Sequence, residues 1–562
     1  MAEQRQHNRR RQIDLVREPI FPALTRLAMP IMASAFLATA YNLTDMAWVG
    51  TLGSDAVASV GVGGMYTWLS AGVILLARMG GQVMLGQSLG AGDREKAGCY
   101  ARAAVHLGIL LGLLYGTVCL TFTPHLVGYF HLSGAAVIRD AECYIRITGG
   151  LVIFFFMTFL LTGLFTAQGD SATPFRANLM GLLLNMTLDP LMIRGIGPFP
   201  SLGVTGAAAA TVFSQSVVMM LLIFHLLSPA GAGNVLRNQG DGAAEARAEA
   251  RAEVREEARA EARTEAPDLR PHLRPHLRSC PRPDLRPCPR LHPEKLSVYA
   301  DIIRIGLPTS VQNMIYTGIS FVLTQLAAGY GDLALAVLRM GNQIESVSWN
   351  ISDGFAASIN AFTAQNYGAR QRDRIRKGYD IAFRLLGSWG LFVTAMFLLF
   401  PEQISGIFFH EAEAIRVSAG YLRIVGLCEA FMCIESMTVG ALSGLGKTRL
   451  CSAVSIILTG ARIPYAWILC RTSLGLTGIW WALSISSISK GIVFFSVMRM
   501  MLAKDDKAFF PPEKDAEKPR KRDAGKTPEK ELGGQSGKTP GKTSGKTPGK
   551  TPEKTPEKGK WS

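Results

Sequence analysis

Twelve apolar stretches, most of them near the ~20 residues that cross a bilayer as a helix, dominate what this chain can become. They fall near residues 23–47, 55–80, 99–122, 142–167, 175–194, 204–228, 302–327, 333–361, 379–400, 416–442, 450–470 and 476–502. Of the 562 residues 48% are hydrophobic, and two very polar segments near residues 237–294 and 504–562 dilute that figure. What remains is too apolar for a string of soluble domains, so the expected fold is an all-α integral membrane protein with twelve transmembrane helices. The basic N-terminus leads into a long apolar stretch with no small-residue cleavage site, so no removable signal peptide is expected.

Lys and Arg in the short loops set the orientation. They collect in the N-terminal segment (Arg9, Arg10, Arg11), after span 2 (Arg94, Lys96, Arg102), after span 6, after span 8 (Arg370, Arg372, Arg374, Arg376, Lys377), after span 10 (Lys447, Arg449) and in the tail. All of these lie on one side of a twelve-span chain, which places both termini in the cytoplasm and the protein in the plasma (inner) membrane. The net charge of +16 is then mostly topological, and no nucleic-acid partner is expected. Cys280 and Cys288 with His272, His276 and His292 form a weak zinc pattern in the polar insertion; the span cysteines read as small apolar residues.

The apolar sequence repeats itself. "LAMP" at 27–30 matches "IGLP" at 305–308, and "QSLGAGD" at 87–93 matches "QNYGARQ" at 365–371, both at an offset of 278. "GLFTAQGD" at 163–170 then meets "GALSGLGK" at 440–447, and "LGVTGAA" at 202–208 meets "LGLTGIW" at 474–480, the offset shrinking through short gaps. A duplicated six-span unit with an even span count enters the membrane twice from the same side. The expectation is two parallel six-helix bundles related by a pseudo-two-fold along the membrane normal, facing across a cleft. The domains read as a basic N-terminus at 1–20, an N lobe at 21–230, a charged low-complexity linker at 231–297, a C lobe at 298–503 and a Lys/Pro/Gly-rich tail at 504–562. The linker and tail are expected to be cytoplasmic, with some attraction to anionic membrane lipids.

Ionisable residues inside spans are costly and usually face a polar cavity. Asp45 stands in the outer half of span 1. In span 5, Asn185 and Asp189 are four apart on one helical face, and Pro190 leaves a backbone carbonyl free. With a hydroxyl such as Thr211, these residues make an oxygen-rich pocket suited to a proton or a hard cation, sodium at Asp45, Asn185 and Asp189 being one such occupant. In the second half, Glu345, Trp349 and Asp353 share roughly one face and Glu435 follows in span 10; acid and indole lining the cleft would attract a cationic aromatic compound. Each of the acids has the alternative of a buried partner on a neighbouring helix. No HExxH, Gly-x-Ser-x-Gly or GxxxxGK[ST] signature is present, so neither an enzyme nor an ATP-driven pump is expected. No cofactor is expected, and the energy source is an ion gradient.

"LAMPIM…YNLTDMAWVG", "GGQVMLGQSLGAGD", "GLFTAQGDSATP", "LNMTLDPLMI" and "LGVTGAAAATVFSQ" together resemble the multidrug and toxic compound extrusion (MATE) family of secondary transporters, over residues 20–230 and 298–502. The resemblance implies a V-shaped pair of bundles, acting as a monomer, that exports organic cations and other small-molecule drugs in exchange for sodium ions or protons. It is nearest to the DNA-damage-inducible type, whose cation-site motifs map onto Asp45, Asn185, Asp189 and Thr211. Other branches place a Glu in span 7, where this chain has Tyr316. Two further readings stand beside this one. A lipid-linked oligosaccharide flippase of the same plan would line its cavity with Arg and Lys, and a membrane receptor or sensor would signal through its tail.

Overall fold

The computed structural model describes residues 13–130, 134–195, 200–227 and 293–510. Residues 228–292, which hold most of the expected linker (231–297) with Cys280 and Cys288, residues from 511, which hold most of the expected tail (504–562), and the N-terminal arginines lie outside the described residues; the last residues of the expected linker, 293–297, are instead helical, and in the expected tail Asp506–Phe509 is a short helix with Phe509 buried. All regular elements among the described residues are helices. In the N lobe they are α1 (Ile20–Gly50), α2 (Ser54–Gly90), α3 (Arg94–Gly128), α4 (Ala135–Thr148), α5 (Ile153–Ala167), α6 (Ala172–Arg194) and α7 (Gly203–Leu227). The C lobe holds α8 (Pro293–Ala328), α9 (Asp332–Gly368), α10 (Arg372–Leu399), α11 (Pro401–Gly406), α12 (Ala412–Gly444), α13 (Thr448–Gly460), α14 (Arg462–Leu469), α15 (Thr477–Leu502) and α16 (Asp506–Phe509).

Each expected span has its helix, with two refinements. Span 4 is broken into α4 and α5 by a 47° bend, and span 11 is the pair α13 and α14. Eight of the described spans are long and apolar enough to cross a membrane by composition alone, nine with the bent pair. Helices α6, α8 and α9 fall short because polar and charged residues interrupt their apolar runs, among them the buried Asn185 and Asp189 of α6 and the exposed Asp353 of α9.

The repeat is visible in the backbone. Gly53 and Gly331 turn the chain at φ 108° and 101°, Gly169 and Gly446 at 82° and 74°, and the members of each pair are repeat equivalents. Gly92 (φ 77°) has Arg370 (φ 56°) as its counterpart, so the second copy keeps a left-handed turn that glycine would adopt without strain.

The lobes meet about a local axis. Gln82 Nε2 donates to Asn360 Oδ1 at 3.1 Å, and the two residues are 278 apart, so this bond joins equivalent positions of the two copies. Around it, Gly306 of α8 lies so close to α2 that an added Cβ would fall 1.8 Å from the Leu76 carbonyl oxygen, and one on Gly80 2.2 Å from that of Ile302. Ser358 Oγ donates to the Leu24 carbonyl at 3.0 Å in the position equivalent to Gly80 and Ile302. Small residues bring the backbones together, as membrane helices require where there is no hydrophobic drive between them.

The first helix of each lobe is shared. Leu24 and Leu27 of α1 are buried with Phe362, Tyr379, Met437 and Phe494 of the C lobe, whereas Val49 at the other end packs with Tyr144, Ile193 and Val204 of the N lobe. Helix α8 does the converse: Ile302 joins Ala77, Tyr100 and Ala104 of the N lobe, and Ile319 and Leu323 pack inside the C lobe. The close interlobe contacts therefore run from Gly72 and Asn350 toward the Arg/Lys-rich end of the bundle. At the opposite end a Cβ added to Gly61, Gly64 or Gly318 would meet nothing within 4 Å. The close contacts between the lobes are thus gathered toward the basic end.

Candidate functional site

One helical turn separates Tyr41 from Asp45 on α1 and Asn185 from Asp189 on α6, so each pair shares a face. Helix α6 packs against both α1 and α7, which brings these faces and Thr211 together inside the N lobe. Asn185 and Asp189 are 1% and 0% exposed and Asp45 8%. Asn185 Nδ2 donates to Asp189 Oδ1 at 3.3 Å, and the Tyr41 hydroxyl is 3.0 Å from Thr211 Oγ1. Asp45 and Asp189 interact electrostatically, and Tyr41 and Tyr144 feel both charges.

The hydrogen bonding is incomplete. Asp45 Oδ1, Asn185 Oδ1, Asp189 Oδ2 and the hydroxyl of Ser214 are buried without a partner. Leaving such atoms unpaired costs about 1–3 kcal/mol each, and more for charged groups. Two neighbouring carboxylates in a buried pocket also repel each other until a proton or a cation joins them. The donor set is all oxygen, two carboxylates with an amide and hydroxyls, which fits a hard monovalent ion. Among the described residues no cluster of three or more His, Cys, Asp or Glu is placed to hold a metal. Sequence reasoning missed Tyr41, Tyr144 and Ser214. Tyr41 stands one turn before Asp45 and Ser214 one turn after Thr211, a spacing that could have flagged both.

The C-lobe acids separate into two groups. Glu345 turns into the lobe and accepts a hydrogen bond from the Tyr421 hydroxyl. Its neighbour Glu429, 2% exposed, accepts from Ser348 Oγ at 2.9 Å and has its other oxygen unpaired. Glu435 pairs with Lys490 Nζ at 2.8 Å. Asp353 and Trp349 are instead exposed on α9, and Asp353 interacts with Trp349, Ser436 and, across the lobes, Arg78. Arg462 is buried and donates to the hydroxyls of Ser486 and Ser487 at 3.2 and 2.9 Å. Glu429, Arg462 and Lys490 are lone ionisable residues in apolar spans, so the rule that found Asp45 could have found them.

The MatE family model matches residues 30–191 and again 308–468, two segments that begin 278 residues apart. The chain belongs to the MatE family. As a MatE chain it is a membrane transporter rather than an enzyme, and the two matched segments fall one in each half of the repeat. It is 25% identical over 484 residues to the probable multidrug resistance protein NorM of Thermotoga maritima, covering 85% of this chain and 91% of that one. Among solved structures, MATE in the bent conformation superposes with a TM-score of 0.72 at 23% identity, over 87% of this chain and 97% of that one. An outward-facing multidrug resistance MATE family transporter gives 0.71 at 22%, over 87% and 98%. These likenesses establish the two-bundle fold of the MatE chain without singling out one branch of the family.

Proposed function

We propose that this MatE chain is a secondary exporter of organic cations and related drugs, driven by inward movement of sodium ions or protons. The observation that carries the coupling is the set of unpaired buried oxygens on Asp45, Asn185 and Asp189. The names of its relatives, multidrug resistance and multidrug export proteins, support the cargo. By the positive-inside rule the basic end is cytoplasmic, together with both termini, so the close contacts between the lobes are gathered toward the cytoplasm.

In that state an ion arriving from outside neutralises the Asp45 and Asp189 pair. Asp45 is on the half of α1 that belongs to the N lobe, while the other half is embedded in the C lobe. A change at the pocket thus acts on a helix that both lobes hold, which is the mechanical requirement for alternating access. Trp349, 44% exposed, and Asp353 offer an aromatic face and a carboxylate to a cationic substrate in the cleft. The flippase reading needs cations free to meet pyrophosphate. Here Lys490 is paired with Glu435, Arg462 is bonded to two serines, and Arg78 lies 3.9 Å over the Phe159 ring and beside Asp353.

The test is efflux of a fluorescent organic cation from loaded proteoliposomes under separate sodium and proton gradients. Wild type is expected to respond to one gradient, and Asp45→Asn and Asp189→Asn to lose that response while still inserting and folding. Full gradient-driven efflux by both variants would remove the site; no efflux under either gradient would remove the exporter reading.

A further inference from the structure

Two hydrogen bonds between the lobes are made twice over by the repeat. Gln87 Nε2 on α2 donates to the carbonyl of Gly444 at 2.8 Å, and Gln365 Nε2 on α9 donates to that of Ala167 at 2.7 Å. Gln87 and Gln365 are repeat equivalents, and so are the acceptors, the last residues of α12 and α5. A helix leaves its final four carbonyls without intrahelical donors. The turns that follow α5 and α12 bond the carbonyls of Phe165 and Thr166, and of Leu442 and Ser443, and pass over Ala167 and Gly444. The missing donor comes from the opposite lobe in both cases.

We propose that Gln87 and Gln365 are twin latches of the basic-end gate, each capping a helix of the other lobe while that end is closed and releasing it when the end opens. The proposal rests on the alternating-access reading above. Both bonds cross the plane of separation, so parting the lobes there must break both and hand the two carbonyls to water. A net worth of about 0.5–1.5 kcal/mol per bond makes the latch reversible, biasing the equilibrium by about 2- to 10-fold each rather than fixing it. The surface beside the latch is built to close fully. A Cβ on Gly90 would fall 1.8 Å from the Gln365 carbonyl oxygen, and one on Gly368 1.9 Å from that of Gln87. Gly90→Ala should therefore wedge open the same seam that Gln→Leu releases.

The experiment measures label-to-label distances by pulsed electron resonance in a cysteine-depleted full chain. One label pair sits at the exposed positions Glu95 and Asp373 at the basic end, and the other at Thr51 and Gly329 at the opposite end. In Gln87→Leu/Gln365→Leu, a longer component should grow at the first pair and a shorter one at the second, each by about 4- to 100-fold in population ratio. Either single variant should give a smaller shift of the same sign. Gln87→Asn, which keeps polarity but loses reach, should shift the distances as Gln87→Leu does, and Gly90→Ala should do so without touching either glutamine. Unchanged distances in the double variant and in Gly90→Ala would overturn the proposal. Shifted distances in a protein that shows no drug efflux would uphold the latch and count against the exporter reading alone.

Discussion

Lys490 and Glu435 sit 2.8 Å apart with side chains 8% and 15% exposed, so each holds the other's charge inside the C lobe. Removing one partner of such a pair strands a buried charge and costs about 3–5 kcal/mol, whereas replacing both with apolar residues is close to neutral. Glu435→Ala should lower the thermal unfolding midpoint sharply, and Glu435→Leu/Lys490→Met should recover most of it; equal loss in both would show the pair to be more than a charge balance. Among the described residues no cation pairs with Asp45 or Asp189 in this way, which is why their substitution is expected to cost transport rather than stability. The sequence made Asp45, Asn185 and Asp189 conspicuous because each is polar in an otherwise apolar run and two share a helical face. It could not show that Glu435 finds Lys490, or that Glu345 turns toward Tyr421, because those partners lie on other helices and only tertiary packing brings them together.

Helix α1 passes from one lobe's core into the other's, and Pro30 lies within the stretch that packs on the C lobe, between Leu27 and Ile31. A proline inside a helix cannot donate to the carbonyl four residues back, here that of Arg26, so the helix is weakened at that point. Pro30→Ala restores a donor and should stiffen α1. The expected result is slower gradient-driven efflux, by several-fold, with unchanged insertion and thermal midpoint; an unchanged rate would mean that α1 moves as a rigid rod. Spans were legible from the length and spacing of apolar runs, and the repeat fixed which helices correspond. The break between α4 and α5 was less so, although Gly149 and Gly150 mark it: a Cβ at either would press on backbone or side chains within 2.7 Å or closer. The positive φ of Arg370 was not legible from its residue type, only from its equivalence to Gly92.

At the scale of the molecule, the exchange of α1 and α8 makes the two lobes each other's core at the basic end. Leu24 and Leu27 have no exposure left beyond 1%, and Ile302 none, so separating the halves would return these side chains and the glycine-lined seam to lipid or water. The association is thus written into the helices themselves, and the linker is not required to hold it. Two chains produced together, one ending and one beginning within residues 228–292, should assemble in the membrane, co-purify and regain gradient-driven efflux, while neither half alone transports. Co-purification without efflux would assign the linker a part in the transport cycle. Failure to co-purify would mean that the covalent connection, rather than the shared helices, brings the lobes together, and would remove the reason for treating α1 as the element through which the ion pocket acts on both.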